Sequence, residues 1–296
     1  MPKVIKRLIP KRLRSAIRGG FIEFSKHPAV SRWFYWSLAD RGYALFSDFG
    51  DHVLVFNPFE TIGDRILRTG SFGRQGTEAV LRRVKEIKGR GEGGVFVEIG
   101  ANIGTQTVYA SLAHKFDRMV AFEPDPANLV LLRANVRLNA LQDLVSIQPV
   151  ALSDKQAKLC LMTNFFNSGA STVEPGFHDA VPKEFTSSID VEAKSGDDAL
   201  AELGIDVNDI ALIWMDVERH EGAVIRGLQK TLESGPPLYF EYFPRQLSQA
   251  DNDIIQAAVF DRYSTVFLDR NGFVPLDADG FKEIKSQDGF VNLLAL

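Results

Sequence analysis

The sequence predicts an α/β fold: a mostly parallel, doubly wound sheet, preceded by an N-terminal helical and β-hairpin extension. Three observations predict it. Val95–Ile99 (VFVEI) is a short apolar, β-branched and aromatic run bounded by Gly93-Gly94 and a glycine turn, which is how a buried parallel strand reads. Gly100 and Gly104 then open a helix, and a second apolar run, Arg118–Phe122, ends on an acid, Glu123. Beyond them, strand-like and helix-like segments alternate to the C-terminus, the rhythm of a parallel sheet with crossover helices.

The first two observations point to a ligand. Glycines at a strand-to-helix turn let a ligand approach the helix N–H groups. An acid closing the second strand of such a unit can accept hydrogen bonds from both ribose hydroxyls. Together they imply a nucleoside-containing cofactor, with Glu98, Gly100, Ala101, Asn102, Gly104, Glu123 and Pro124 as its candidate contacts. The dinucleotide fingerprint G-x-G-x-x-G is absent. Glu98, Gly100 and Gly104 form E-x-G-x-x-x-G, without the glycine that lets a backbone approach a pyrophosphate. The looser turn resembles the S-adenosylmethionine (SAM) loop of class I methyltransferases.

In chain order, Val4, Ile5, Leu8, Ile9, Leu13 and Ile17 recur at roughly helical intervals among basic residues, with Pro10 as a kink. Two readings stand open: an amphipathic helix on an anionic membrane surface or partner, and a solvated basic terminus. The aromatic cluster Trp33–Trp36 suits either the membrane reading or a core. Tyr43 to Ile66 suggests short antiparallel strands turning at Gly50-Asp51. Thr77 to Ile87 reads as a helix capped by Thr77, with Ala79, Val80, Val84 and Ile87 on one face. The glycine-rich stretch Gly89–Gly94 marks the expected boundary between an accessory region, 1–90, and a catalytic domain, 91–296.

After Glu123 a helix starts at Pro126 with Leu129, Leu132, Val136 and Leu138 turned inward, and Val145–Leu152 reads as a third strand. Carboxyl ends of adjacent strands line the crevice of a doubly wound sheet, so Ala151, Leu152, Ser153 and Asp154 are expected near the adenine; Ser-Asp is also an ordinary turn. KLCLMTN (158–164) and Ser187–Ala193 read as strands flanking a long loop, Phe165–Phe185. Ile210–Asp216 is a buried strand ending in an acid, and one helix is expected from Val217 to Ser234. Pro237–Phe243, a helix over Leu247–Phe260, TVFLD (265–269) and FVNLLAL (290–296) complete the sheet.

Composition bounds the rest. The chain of 296 residues is long enough for a substantial core. One cysteine, Cys160, excludes an intrachain disulfide framework and argues for a reducing compartment. No run approaches the ~20 apolar residues of a spanning helix, and no secretory pattern follows the basic start. A cytoplasmic protein is expected, membrane-associated if residues 1–20 dock. Seven of the basic residues lie in the first twenty positions with no acid among them, leaving −11 on the remainder against −4 overall. That acidic body argues against a broad nucleic-acid footprint.

FVEIGANIG, AFEPDPANLVLLRANVRLN, VALSD, MDVERHEGAVIRG and YFEYF resemble, in this order and spacing, the FkbM family of SAM-dependent methyltransferases. The resemblance runs from about Glu78 to the C-terminus. It implies a Rossmann-like class I methyltransferase fold, SAM as cofactor, and transfer of a methyl group to a hydroxyl of a sugar, glycan, polyketide or related small molecule. The chain departs from the family pattern D-V-E-G-x-E at Arg219, which stands in place of glycine, and at Trp214, where a lysine is common.

Methyl transfer from a sulfonium is an in-line displacement, which needs alignment, water exclusion and a base for a weakly nucleophilic alcohol. Asp216 and His220 are the candidate catalytic residues, four apart as on one helical face. Glu218 and Glu221 either shape that site or stabilise the helix N-terminus. A metal held by these residues would need a second ligand cluster, which the sequence lacks, so none is expected. An NAD-dependent oxidoreductase and a non-catalytic binding module of the same fold are the competing functions.

Overall fold

The computed structural model describes residues 44–89, 91–164, 167–174, 186–270, 272–285 and 288–296, and Leu45–Leu296 form one compact unit. The basic segment 1–20, the cluster Trp33–Trp36 and most of the loop Phe165–Phe185 lie outside the described residues.

The unit opens with a hairpin, β1 (Leu45–Asp48) against β2 (Val53–Phe56). Gly50, at φ 93°, turns it, and its N–H donates to Asp48 Oδ1 at 2.8 Å. Helices α1 (Thr61–Thr69) and α2 (Arg74–Lys88) follow. Thus the antiparallel reading holds only to Phe56, and Thr61 to Ile66 is helical. Thr77 is not a cap: α2 starts a turn earlier behind Gly73, and Thr77 is buried within it. Ile87 is exposed, whereas Val80, Leu81 and Val84 are buried.

The sheet unit runs β3 (Val95–Ile99), α3 (Thr105–Ala113), β4 (Arg118–Phe122), α4 (Pro126–Leu138) and β5 (Val145–Gln148). Asp125 caps α4 by accepting from Ala127 N at 2.8 Å, with Pro126 at the first helical position. Leu129, Leu132 and Val136 are buried, but Leu138 is exposed. The expected strand Val145–Leu152 is two strands. Pro149 has no N–H for a ladder, and the chain leaves the main sheet there. It resumes as β6 (Ala151–Ser153) beside β7 (Ala157–Asn164) and β8 (Thr186–Ser195) in a small sheet ordered β6-β8-β7.

Helix α5 (Gly196–Glu202) leads to β9 (Ile210–Met215), the short helices α6 (Glu221–Gly227) and α7 (Gln229–Glu233), β10 (Leu238–Tyr242) and α8 (Gln249–Phe260). Then come β11 (Val266–Asp269), β12 (Phe273–Pro275), α9 (Ala278–Ile284) and β13 (Val291–Ala295). The single helix expected from Val217 is a four-residue turn, Val217–His220, followed by two helices that break at Leu228.

The eight strands lie in the order β12-β11-β13-β10-β9-β3-β4-β5. Strands β10, β9, β3, β4 and β5 are parallel, and β13 runs antiparallel between β10 and β11. The order reverses between β3 and β9, the switch point where such sheets open a crevice. Helices cover both faces. Val97 and Ile99 pack with residues of α5–α9 on one face, and Phe96 packs with residues of α2–α4 on the other.

The hairpin is attached by two asparagines one turn apart on α4. Asn135 accepts from Val55 N at 2.6 Å and donates to Val55 O at 3.0 Å; Asn139 makes the same pair with Val53 at 2.9 and 2.8 Å. The two side chains thus serve as a neighbouring strand for β2.

Candidate active site

A cavity of about 220 Å³ opens at the switch point, over the carboxyl ends of β3, β4, β9 and β10. Its floor is the turn after β3. Gly100 (φ 84°), Asn102 (φ 50°) and Gly104 (φ 83°) are left-handed there. A Cβ at Gly104 would stand 2.5 Å from Leu132 Cδ1, so glycine also brings α3 close to α4.

Glu123, buried at the end of β4, lines the cavity. Its Oε2 accepts from Asn102 N at 2.7 Å, and its Oε1 accepts from Asp125 N at 2.8 Å. Burial pushes its carboxyl up to about 7. Each carboxylate oxygen has more than one acceptor site, so capacity for a ligand's hydroxyls remains.

The opposite wall is acidic. Asp216 follows β9, Glu218 stands two residues on, and Glu241 lies on the neighbouring β10; oxygens of the three carboxylates lie within 4.8 Å of one another. Asp216 is exposed by surface area because it faces the open cavity, yet protein surrounds it closely enough to desolvate the charge, and its pKa is raised. Burial pushes Glu218 up to about 8, with repulsion from Asp216 and Glu221 adding to it. Burial and then the charges of Asp216, Glu218 and Glu221 drive Glu241 higher. Three oxygen donors at this spacing could hold a hard divalent cation, an arrangement the sequence reading passed over because it did not pair Glu241 with Asp216.

Asp216 and His220 both reach the cavity wall, but not across one helical face. Glu218 (φ 49°) and Arg219 (φ 74°) are left-handed, and His220 only precedes α6. Both nitrogens of the buried His220 ring are engaged: Nδ1 lies 2.7 Å from Glu174 Oε1 and Nε2 lies 2.9 Å from Ser153 Oγ. The proton-accepting role expected of His220 therefore has no unoccupied nitrogen in this arrangement. Glu221 begins α6, fully buried, and its Oε1 accepts from Arg219 N at 2.9 Å.

Of the residues expected at the cofactor, Gly100, Asn102, Glu123, Pro124 and Ala151 line the cavity. Ala101, Gly104 and Glu98 stand back from its wall. Glu98 is buried on β3 and accepts from Thr107 Oγ1 of α3, so it ties helix to strand; burial pushes it up to about 8. Ser153 sits behind His220, and Asp154 is exposed beside it, 3.3 Å from Ser153 Oγ. Glu241 and Glu174 were missed. An acid inside the apolar run YFEYF was a readable signal for Glu241; Glu174, in an aperiodic loop, gave none.

The sequence model of one family, described as the methyltransferase FkbM domain, matches residues 98–264. The chain belongs to the FkbM methyltransferase family. The match includes the glycine turn, Glu123, the Asp216 turn and Glu241. A 2-O-methyltransferase, NoeI of Sinorhizobium fredii (strain NBRC 101917 / NGR234), is 28% identical over 162 residues, 52% of this chain. This FkbM chain spans 65% of that relative's length. A solved methyltransferase FkbM from Methylobacillus flagellatus KT aligns with TM-score 0.44 and 16% identity, over 70% of this chain and 44% of that one. An O-methyltransferase from Bacillus cereus, in complex with SAH, aligns with TM-score 0.43 and 13% identity, over 79% and 90%.

Proposed function

We propose that this FkbM-family chain transfers a methyl group from SAM to a hydroxyl oxygen of a sugar, glycan or related neutral small molecule. The observation that carries the cofactor half is Glu123: a buried acid held by backbone N–H groups at the wall of the switch-point cavity, with acceptor capacity left for a ribose. The charge of the cavity agrees. No Lys or Arg is among the described residues lining it, while Glu123, Asp216, Glu218 and Glu241 are. Such a wall has no cation to pair a pyrophosphate, whereas a sulfonium needs none.

When bound, the cofactor supplies an electrophilic methyl carbon. With the methyl group so supplied, the chain's own part would be to bind and orient the acceptor hydroxyl and to remove its proton. Asp216 takes that proton, since its carboxylate faces the cavity with no hydrogen bond from a described side chain. Glu123 and the Asn102 turn hold the nucleoside, and apolar wall residues such as Leu161 and Val173 of the small-sheet region limit water. A wall with no Lys or Arg among its described residues offers no partner for a phosphorylated or carboxylated acceptor, which supports a neutral hydroxyl.

Calorimetric titration of the full chain with S-adenosylhomocysteine, beside NADH, tests the reading. Saturable binding of the homocysteine nucleoside, weakened at least tenfold by Glu123→Ala, and no binding of NADH, are expected. Failure of a folded sample to bind it overturns the enzymatic reading in favour of a silent scaffold.

A further inference from the structure

The turn that carries Asp216 is held in an unfavourable backbone conformation. Glu218 and Arg219 are consecutive non-glycine residues at φ 49° and 74°. Side chains with a Cβ are penalised there, and such conformations persist only where surrounding contacts over-determine them. At Arg219 a glycine would adopt this conformation without the Cβ penalty, so the arginine needs contacts that a glycine would not.

The contacts that hold it come from outside the turn. Thr172, 1% exposed, donates its hydroxyl to Glu218 O at 2.7 Å. Its own backbone is fixed by a two-way pairing with Met162 of β7, at 2.8 and 3.0 Å. Two residues on, Glu174 donates its N–H to Thr172 Oγ1 at 3.2 Å and meets His220 Nδ1 with its carboxylate at 2.7 Å. The other face of the ring meets Ser153 Oγ of β6 at 2.9 Å, and Ser153 is 3% exposed. Thr172, bridged to β7, with Glu174 and with Ser153 of β6, therefore holds the strained pair from both sides, Glu218 by its carbonyl and the following His220 by its ring.

We propose that Thr172, Glu174 and Ser153, with His220 as the grip, form a clasp that positions the Asp216 turn and takes over the part a glycine would play at Arg219. These are positioning residues. His220, with both nitrogens committed to the clasp, orients the loop and does not accept the acceptor's proton. The consequence for turnover rests on the methyl-transfer reading; the clasp itself does not.

The test is hydrogen–deuterium exchange of the amides of 217–221 in the full chain, with S-adenosylhomocysteine titration alongside. Thr172→Val and Glu174→Ala should each speed exchange of those amides about tenfold while strands β3 and β9 keep their protection. Glu174→Gln, which retains an acceptor for Nδ1, should remain close to the parent. Adding Arg219→Gly to Thr172→Val should restore much of the protection, because glycine relieves the strain the clasp opposes. Unchanged exchange in both Thr172→Val and Glu174→Ala, a rise spread over the whole sheet, or no rescue by Arg219→Gly would each overturn the clasp. Absence of S-adenosylhomocysteine binding in every variant and the parent would overturn the functional reading alone, since the exchange result stands without it.

Discussion

A Cβ added to Gly100 would stand 1.8 Å from the carbonyl oxygen of Asp216. The turn after β3 and the turn after β9 therefore touch through backbone, with no side chain between them to adjust. Gly100 is also at φ 84°. Gly100→Ala must both strain the backbone and displace β9, and should lose at least about 2 kcal/mol of stability. Gly76→Ala is the control: it lies inside α2 with nothing within 4 Å of its added Cβ. That change should gain about 0.5–1 kcal/mol. Urea denaturation of the two variants reads the difference. Equal midpoints would mean that the two turns do not meet as described.

Asn135 is fully buried and makes three side-chain bonds, to Val55 N, Val55 O and Ile103 O. Truncation leaves these backbone groups without partners, and each unsatisfied buried group costs about 1–3 kcal/mol. Asn135→Ala should cost roughly 3 kcal/mol, and Asn139→Ala less, because Asn139 is partly solvated. The pair grips one strand, so a double-mutant cycle should show coupling. Additive losses would mean that the hairpin is held elsewhere.

Strands β3, β4 and β9 were legible because each is a short apolar run closed by glycine or an acid, a pattern that survives without tertiary information. The placement of Glu123 and Gly100 at the cavity was legible for the same reason: it follows from their position in one strand–turn–helix–strand unit. What escaped depends on distance along the chain or on a local conflict. Asp216 and Glu241 meet only because β9 and β10 are neighbours. The spacing of Asp216 and His220 suggests a helical face, but the left-handed residues between them exclude a helix. Val145–Leu152 reads as one strand until Pro149 withholds its N–H and turns the chain into a second sheet.

The acidic wall makes stability depend on pH. In the unfolded chain these carboxylates titrate near about 4.3, whereas Glu218 is pushed up to about 8 and Glu241 is also raised. The folded state thus holds protons that the unfolded state has released. Their stabilisation is fully present below the unfolded pKa and is lost as pH rises through the folded values. Melting temperature should fall from pH 6 to pH 9. Glu241→Gln removes one ionisation and should melt about 2–4 °C above the parent at pH 9. Parallel melting curves for the two proteins across that range would place Glu241 outside the repelling group.

Asp216→Asn separates binding from transfer. The amide is nearly isosteric, cannot take a proton, and leaves the Glu123 side of the cavity untouched. S-adenosylhomocysteine should bind within about threefold of the parent, whereas methyl transfer to a neutral glycan acceptor should drop by about a hundredfold or more, the scale of a lost general base. In the parent, transfer should rise with pH as Asp216 ionises, because the carboxylate is the proton-accepting form and burial has raised its pKa. That rise should be missing in the variant. Full activity in Asp216→Asn would pass the role to another carboxylate of the same wall, Glu218 or Glu241, whose glutamine variants would then have to show the loss.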